Sequence, residues 1–192
     1  MKRVIIIHRW DGSPSHDWYN AVAESLKEKG FQVEIPVMPD TAKPEISSWV
    51  GKLNELIPKP TIDTYFIGHS IGCQTILRYL ESLKGNIKID KVVLVAPWFN
   101  LQNLDRDSAN IAKPWVETSI DLEKVKKHLS SLTAIFSDND PYVSLSDKEI
   151  FKTLLGAKVI VEHNKGHFTQ EDGFTDFPLV TKEILESNVT TV

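Results

Sequence analysis

The chain has 192 residues, 41% of them hydrophobic and 25% charged, with a formal net charge of −4 and a pI near 5.9. That length supports one substantial core and is short for two, and the composition is that of an ordinary globular protein. The charge balance offers no concentrated positive field, so neither nucleic acid nor an anionic membrane is an expected partner. Lys124, Lys126 and Lys127 do cluster, but Asp121 and Glu123 lie among them, as on a solvated helix face. The lone cysteine, Cys73, excludes an internal disulfide and fits a reducing compartment. The opening apolar run, Val4 to Ile7, is too short for a secretory signal, and no stretch approaches the ~18 apolar residues of a membrane span. The expected location is the cytoplasm.

In chain order, short apolar and β-branched runs predict strands over residues 3–8, 32–35, 65–67, 91–95, 133–136 and 158–161. Their near-continuous hydrophobicity suits strands buried on both faces, as in a parallel sheet. Helices are predicted between and after them, over 18–29, 45–56, 71–83, 122–129, 146–155 and 176–186. The first ends at Gly30, a residue that readily takes the left-handed C-cap conformation. Strand alternating with helix predicts a compact, doubly wound, mostly parallel α/β sheet of about six strands with flanking helices, forming one domain over residues 1–192. One segment, 97–120, has no clear period. Its aromatic residues, Trp98, Phe99 and Trp115, predict an ordered rim in place of a linker.

Between the third strand and the third helix stands Gly68-His69-Ser70-Ile71-Gly72. This is the G-x-S-x-G nucleophile elbow in the strand-to-helix setting that gives the motif meaning. A tight turn lifts the serine hydroxyl clear of the sheet, and glycine on either side leaves room for the neighbouring strand and helix. The following helix directs its N-terminal N–H groups towards the place where negative charge develops. Cys73 lies one turn further on and reads as a small packing residue. His69 should turn away from a bound substrate.

A serine hydroxyl needs a base, and in this fold the chain order is Ser, then Asp or Glu, then His. The fifth strand opens into Ser137-Asp138-Asn139-Asp140, at the sheet edge where ligands bind, so Asp138 and Asp140 are both candidates for the acid. Either could instead close an Asx turn. Gly166-His167 falls in the loop before the last helix, where the base is expected. His163 and His167 are four apart, but a metal pair at that spacing needs a helix, and Asn164 and Gly166 oppose one. The oxyanion hole is expected from the backbone N–H groups of Ile71, after the nucleophile, and Trp10, after the first strand.

These residues resemble the small serine hydrolases grouped around retinoblastoma-binding protein nine and the bacterial YdeN proteins, a compact branch of the α/β-hydrolase superfamily. The likeness runs through I-I-I-H-x-W, V-M-P-D, P-E-I-S-S-W, G-H-S-I-G-C, V-L-V-A-P, D-N-D-P-Y-V and G-H-F followed by D-G-F-T. It implies a minimal α/β-hydrolase fold with little or no cap, and it maps Ser70, Asp140 and His167 onto nucleophile, acid and base. Asp140 is preferred over Asp138 because the family's acid is followed, three positions on, by an aliphatic residue, here Val143. Arg9 stands where the family carries glycine, and Ser144 where proline is frequent. A bulky Arg9 could change how the Trp10 N–H is presented.

The expected activity is therefore that of a carboxylesterase-like serine hydrolase acting on a small acyl substrate. No metal or organic cofactor is expected, and no protein partner can be named. Trp10, Trp98 and Phe168 are expected to bound an open pocket. The alternative is a hydrolase-fold binding protein with impaired catalysis, a reading that rests on Arg9.

Overall fold

The computed structural model describes residues 1–186; residues 187–192 of the expected domain lie outside the described part. Six parallel strands form one sheet in the order β2-β1-β3-β4-β5-β6. They are β1 (Arg3–Ile7), β2 (Gln32–Glu34), β3 (Thr64–His69), β4 (Val92–Val95), β5 (Leu132–Ser137) and β6 (Lys158–Glu162). The helices are α1 (Tyr19–Glu28), α2 (Ile46–Leu56), α3 (Ile71–Ser82), α4 (Arg106–Glu117), α5 (Leu122–His128), α6 (Lys148–Leu155) and α7 (Pro178–Leu185). This is the α/β-hydrolase architecture expected from the sequence.

The central strands β3, β4 and β5 are buried along their whole length, whereas β2 and β6 at the edges are only partly covered. That difference is why the central strands read as unbroken apolar runs. From β1 the chain steps outward to β2, then returns to the other side of β1 as β3. With crossovers of constant right hand, this reversal puts α1 and α3 on opposite faces. In agreement, α1 packs with α7, while α2, α3, α5 and α6 touch one another in sequence. The reversal also creates a switch point between the C-terminal ends of β1 and β3, where the loops diverge and leave a crevice.

The segment expected to lack regular structure contains α4. Its buried face is narrow, with only Ala112 and Trp115 buried. What holds it is hydrogen bonding at both ends. The Asp105 carboxylate caps the N-terminus, accepting from the Asp107 and Ser108 N–H groups and the Ser108 hydroxyl. At the other end the Trp115 indole donates to Pro44 O at 2.8 Å, and the Arg78 guanidinium donates to the carbonyls of Trp115 and Thr118. Pro114 sits in the last turns of this tethered helix. The preceding loop is ordered as well, since buried Asp147 accepts from the Phe99 and Asn100 N–H groups. No helix among the described residues is long and apolar enough to cross a membrane.

Candidate active site

Ser70 occupies the turn between β3 and α3 with φ 53° and ψ −116°, a conformation that costs a non-glycine residue energy. The turn is pinned by the Ser70 N–H donating to Val95 O and the Cys73 N–H donating to Ser70 O, both at 2.9 Å. A Cβ on Gly72 would overlap the Ile7 carbonyl at the end of β1, and one on Gly68 would press on the Cys73 backbone. Gly72→Ala is expected to force the elbow away from β1, destabilising the fold by about 1–3 kcal/mol in urea unfolding; an unchanged midpoint would mean that the contact relaxes freely.

The base loop follows β6. Its Gly166 has φ +55°, and a Cβ there would overlap the Asp172 carboxylate. That carboxylate accepts from the His167 N–H, the Thr169 N–H and the Thr169 hydroxyl, at 2.8, 3.1 and 2.9 Å. The spacing of Gly166-His167 from Asp172 therefore has a physical origin: the loop wraps around one acidic side chain.

The run Ser137-Asp138-Asn139-Asp140 lies against this loop residue by residue. Ser137 Oγ accepts from Lys165 N, Asp138 from Asn164 N, and Asn139 Oδ1 from Gly166 N. Asp140 Oδ2 meets His167 Nδ1 at 2.8 Å, while its Oδ1 accepts from the Tyr142 and Val143 N–H groups. A carboxylate can only accept, so His167 Nδ1 carries the proton and Nε2 is left as the basic atom. The two aspartates are thus separated. Asp140 is buried on His167, whereas Asp138 bonds His163, a residue whose side chain is 79% exposed. The Asn164 N–H and His163 together hold the Asp138 carboxyl below its ordinary range.

Ser70 and His167 line one cavity of about 680 Å³ at the switch point, a size suited to a small ligand. Trp10 and Ile71 line it too. The Trp10 N–H has no hydrogen-bond partner among the described residues, and Ile71, as the first residue of α3, has no intrahelical acceptor for its N–H. Trp98 is on the wall as expected, with Tyr142 beside it. Phe168 is not. At φ 58° its ring turns inward, stacking on Phe177 with centroids 5.3 Å apart and meeting Phe174, so it belongs to the core. In place of Phe168, the edge-on neighbour of His167 on the cavity side is Tyr142. Leu101, Leu104 and Ile111, from α4 and the loop before it, complete the apolar wall.

His69 lies beneath the site and wholly buried. Its Nε2 is 2.8 Å from His167 O and its Nδ1 2.7 Å from the Tyr19 hydroxyl. Burial, reinforced by neighbouring His167, lowers its pKa to about 3. The ring is neutral at pH 7, and the carbonyl partner places its proton on Nε2. Cys73 is buried, its thiol raised by desolvation, as befits a packing residue. Arg9 touches the Trp10 backbone, its guanidinium donating to the Trp10 carbonyl at 3.3 Å, while its principal partner is the carboxylate of Asp17, a residue that no motif singles out. Among the described residues, no group of three or more His, Cys, Asp or Glu could hold a metal ion.

The chain is similar to several known proteins over nearly its whole length. The chain is 29% identical to YdeN of Bacillus subtilis over 184 residues, covering 93% of this chain and 92% of that one. It is 26% identical to the serine hydrolase RBBP9 of Rattus norvegicus over 174 residues, covering 89% and 88%. The crystal structure of the B. subtilis ydeN gene product superposes with a TM-score of 0.88 at 26% identity, covering 96% of this chain and 97% of that one. Est1E from Butyrivibrio proteoclasticus shares the fold at a TM-score of 0.72 and 15% identity, over 97% and 90% of the two chains. The family model for serine hydrolases matches residues 4–186, and the chain belongs to the serine hydrolase family.

Proposed function

We propose that the protein hydrolyses a small ester, or a similarly activated acyl substrate, through an acyl-enzyme on Ser70. The observation that carries this reading is the Asp140–His167 pair, whose proton placement leaves Nε2 basic on the wall of the cavity that holds Ser70. Ser70 Oγ attacks the carbonyl carbon while His167 Nε2 takes the hydroxyl proton, and the carbonyl π electrons move onto oxygen. The N–H groups of Ile71 and Trp10 stabilise that oxyanion without reorganising. Collapse of the intermediate expels the leaving alkoxide, which takes the proton from His167. Water then repeats the sequence on the acyl-enzyme and regenerates the Ser70 hydroxyl. Every proton is passed by His167. Leu101, Leu104 and Ile111 give part of the lining an apolar face, while Asp105, Asp107, Glu171 and Asp172 make another part acidic, which favours a small uncharged substrate over an anionic one. Arg9, the residue that kept a non-catalytic reading open, lines the cavity paired with Asp17, and the neighbouring Trp10 N–H has no partner among the described residues, which supports the enzymatic reading.

A fluorophosphonate probe followed by peptide mass spectrometry tests the proposal. The expected adduct lies on Ser70, is absent in Ser70→Ala and forms far more slowly in His167→Ala. An unlabelled wild-type protein with no turnover of p-nitrophenyl acetate above the Ser70→Ala background would overturn it.

A further inference from the structure

Two loops carry the proposed chemistry: residues 9–10 after β1 present one oxyanion donor, and residues 166–170 after β6 present the base. They are far apart in sequence, yet side chains join them: Arg9 pairs with Glu171 at 3.6 Å, and Asp17 bridges Arg9 and Gln170. Asp17 Oδ2 accepts from Arg9 Nε at 2.8 Å, Asp17 Oδ1 accepts from the Gln170 N–H at 2.9 Å, and the Asp17 N–H reaches Gln170 Oε1 at 3.4 Å. The Asp17 side chain is fully buried and that of Arg9 is 17% exposed. A second link runs parallel to the first. The Arg9 N–H donates to the Tyr19 hydroxyl, Tyr19 donates to His69 Nδ1, and His69 Nε2–H donates to His167 O. The His167 carbonyl can only accept, which places the His69 proton on Nε2 and leaves Nδ1 as acceptor for the Tyr19 hydroxyl.

A buried ion pair is a poor way to gain stability, because desolvation offsets the attraction and apolar side chains of similar size often do as well. Directed hydrogen bonds, however, fix orientation in a way that apolar contact does not. Burial pushes the Asp17 carboxyl up, but the Arg9 guanidinium and the Gln170 N–H outweigh it and keep Asp17 ionised. Nor does Asp17 itself line the cavity.

We propose that Asp17 is a positioning residue that, through Arg9 and Gln170, holds the Trp10 oxyanion donor and the His167 base in mutual register. The proposal rests on the acyl-transfer reading given above.

The test measures kcat and KM for p-nitrophenyl acetate, fluorophosphonate labelling and Tm in Asp17→Asn, Gln170→Pro and Arg9→Met/Asp17→Asn. Asn keeps the shape of Asp17, but one of its two side-chain polar atoms becomes a donor and cannot serve both partners. Misplacement of reacting groups by a fraction of an ångström to 1 Å costs rate in place of affinity. Asp17→Asn is therefore expected to lower kcat about tenfold to a hundredfold with KM within about twofold. Gln170→Pro covers the case in which Asp17→Asn does not fold. Residue 170 is exposed and opens a 3-10 turn, a place that accepts proline, and the substitution removes the N–H given to Asp17. It is expected to lower kcat about threefold to tenfold with Tm nearly unchanged. Because the two side chains act as a unit, the double variant should have a kcat within about threefold of Asp17→Asn. Unchanged kcat in a folded Asp17→Asn or in Gln170→Pro, or losses that multiply in the double variant, would overturn the brace. Absence of Ser70 labelling in the wild type would instead remove the acyl-transfer reading and the brace with it.

Discussion

Asp140→Asn is expected to lower turnover of an activated ester by about 10⁴-fold, whereas Asp138→Asn should leave it within about threefold. The two residues are neighbours in one turn-forming run, so composition cannot separate them. Their hydrogen bonds do. An Asn at 140 would face His167 Nδ1 either with a weaker acceptor or with a donor, and the donor would force the ring proton onto Nε2 and abolish the base. At 138 the lost partner is an exposed histidine outside the cavity. Steady-state kinetics and the rate of fluorophosphonate labelling both read this comparison. A larger loss in Asp138→Asn would reassign the acid.

Stability should fall steeply in mild acid, and His69 is the main reason. In the unfolded chain a histidine takes up its proton near pH 6.5. In the fold His69 stays neutral down to about pH 3, because it is buried beside His167 with both ring nitrogens engaged. Between those values the unfolded state binds the extra proton, so stability is complete above pH 6.5 and is lost as the pH drops. The loss is about 1.4 kcal/mol per pH unit, or about 2 kcal/mol between pH 6.5 and 5 from this group alone. His8, lowered by burial, acts in the same direction. Urea unfolding at pH 7.5, 6 and 5 measures the slope, and His69→Asn should flatten it by close to one proton even where the variant is less stable throughout. An equal slope in the two proteins would show that the ring is hydrated and titrates normally.

The same histidine shows how an elbow motif extends into the core. His69 is specified by neither the nucleophile turn nor the sheet pairing, yet it connects the Tyr19 hydroxyl to the His167 carbonyl. A variant here would act on the base through its backbone, so activity and stability are expected to change together.

Local order made much of this protein legible from its sequence. Continuous apolar runs marked strands buried on both faces, glycines marked the elbow, and the succession of strand and helix implied a parallel sheet. Ser70 and His167 could be proposed as nucleophile and base because such roles depend on local context: a strand-to-helix joint and a glycine-bearing loop before the last helix. Other features depend on contacts between distant segments, and only the tertiary structure decided them. Asp140 is separated from Asp138 by which histidine of the loop after β6 each side chain meets; α4 is held because Trp115 donates to the remote Pro44 carbonyl and the remote Arg78 donates to the carbonyls of Trp115 and Thr118. Phe168 turns inward because Phe174 and Phe177 receive it, and Arg9 is drawn to an Asp17 that no spacing rule connects with it. Propensity and periodicity record what a residue does to its near neighbours along the chain, whereas a hydrogen bond across the sheet edge depends on a partner whose position exists only once the chain has folded.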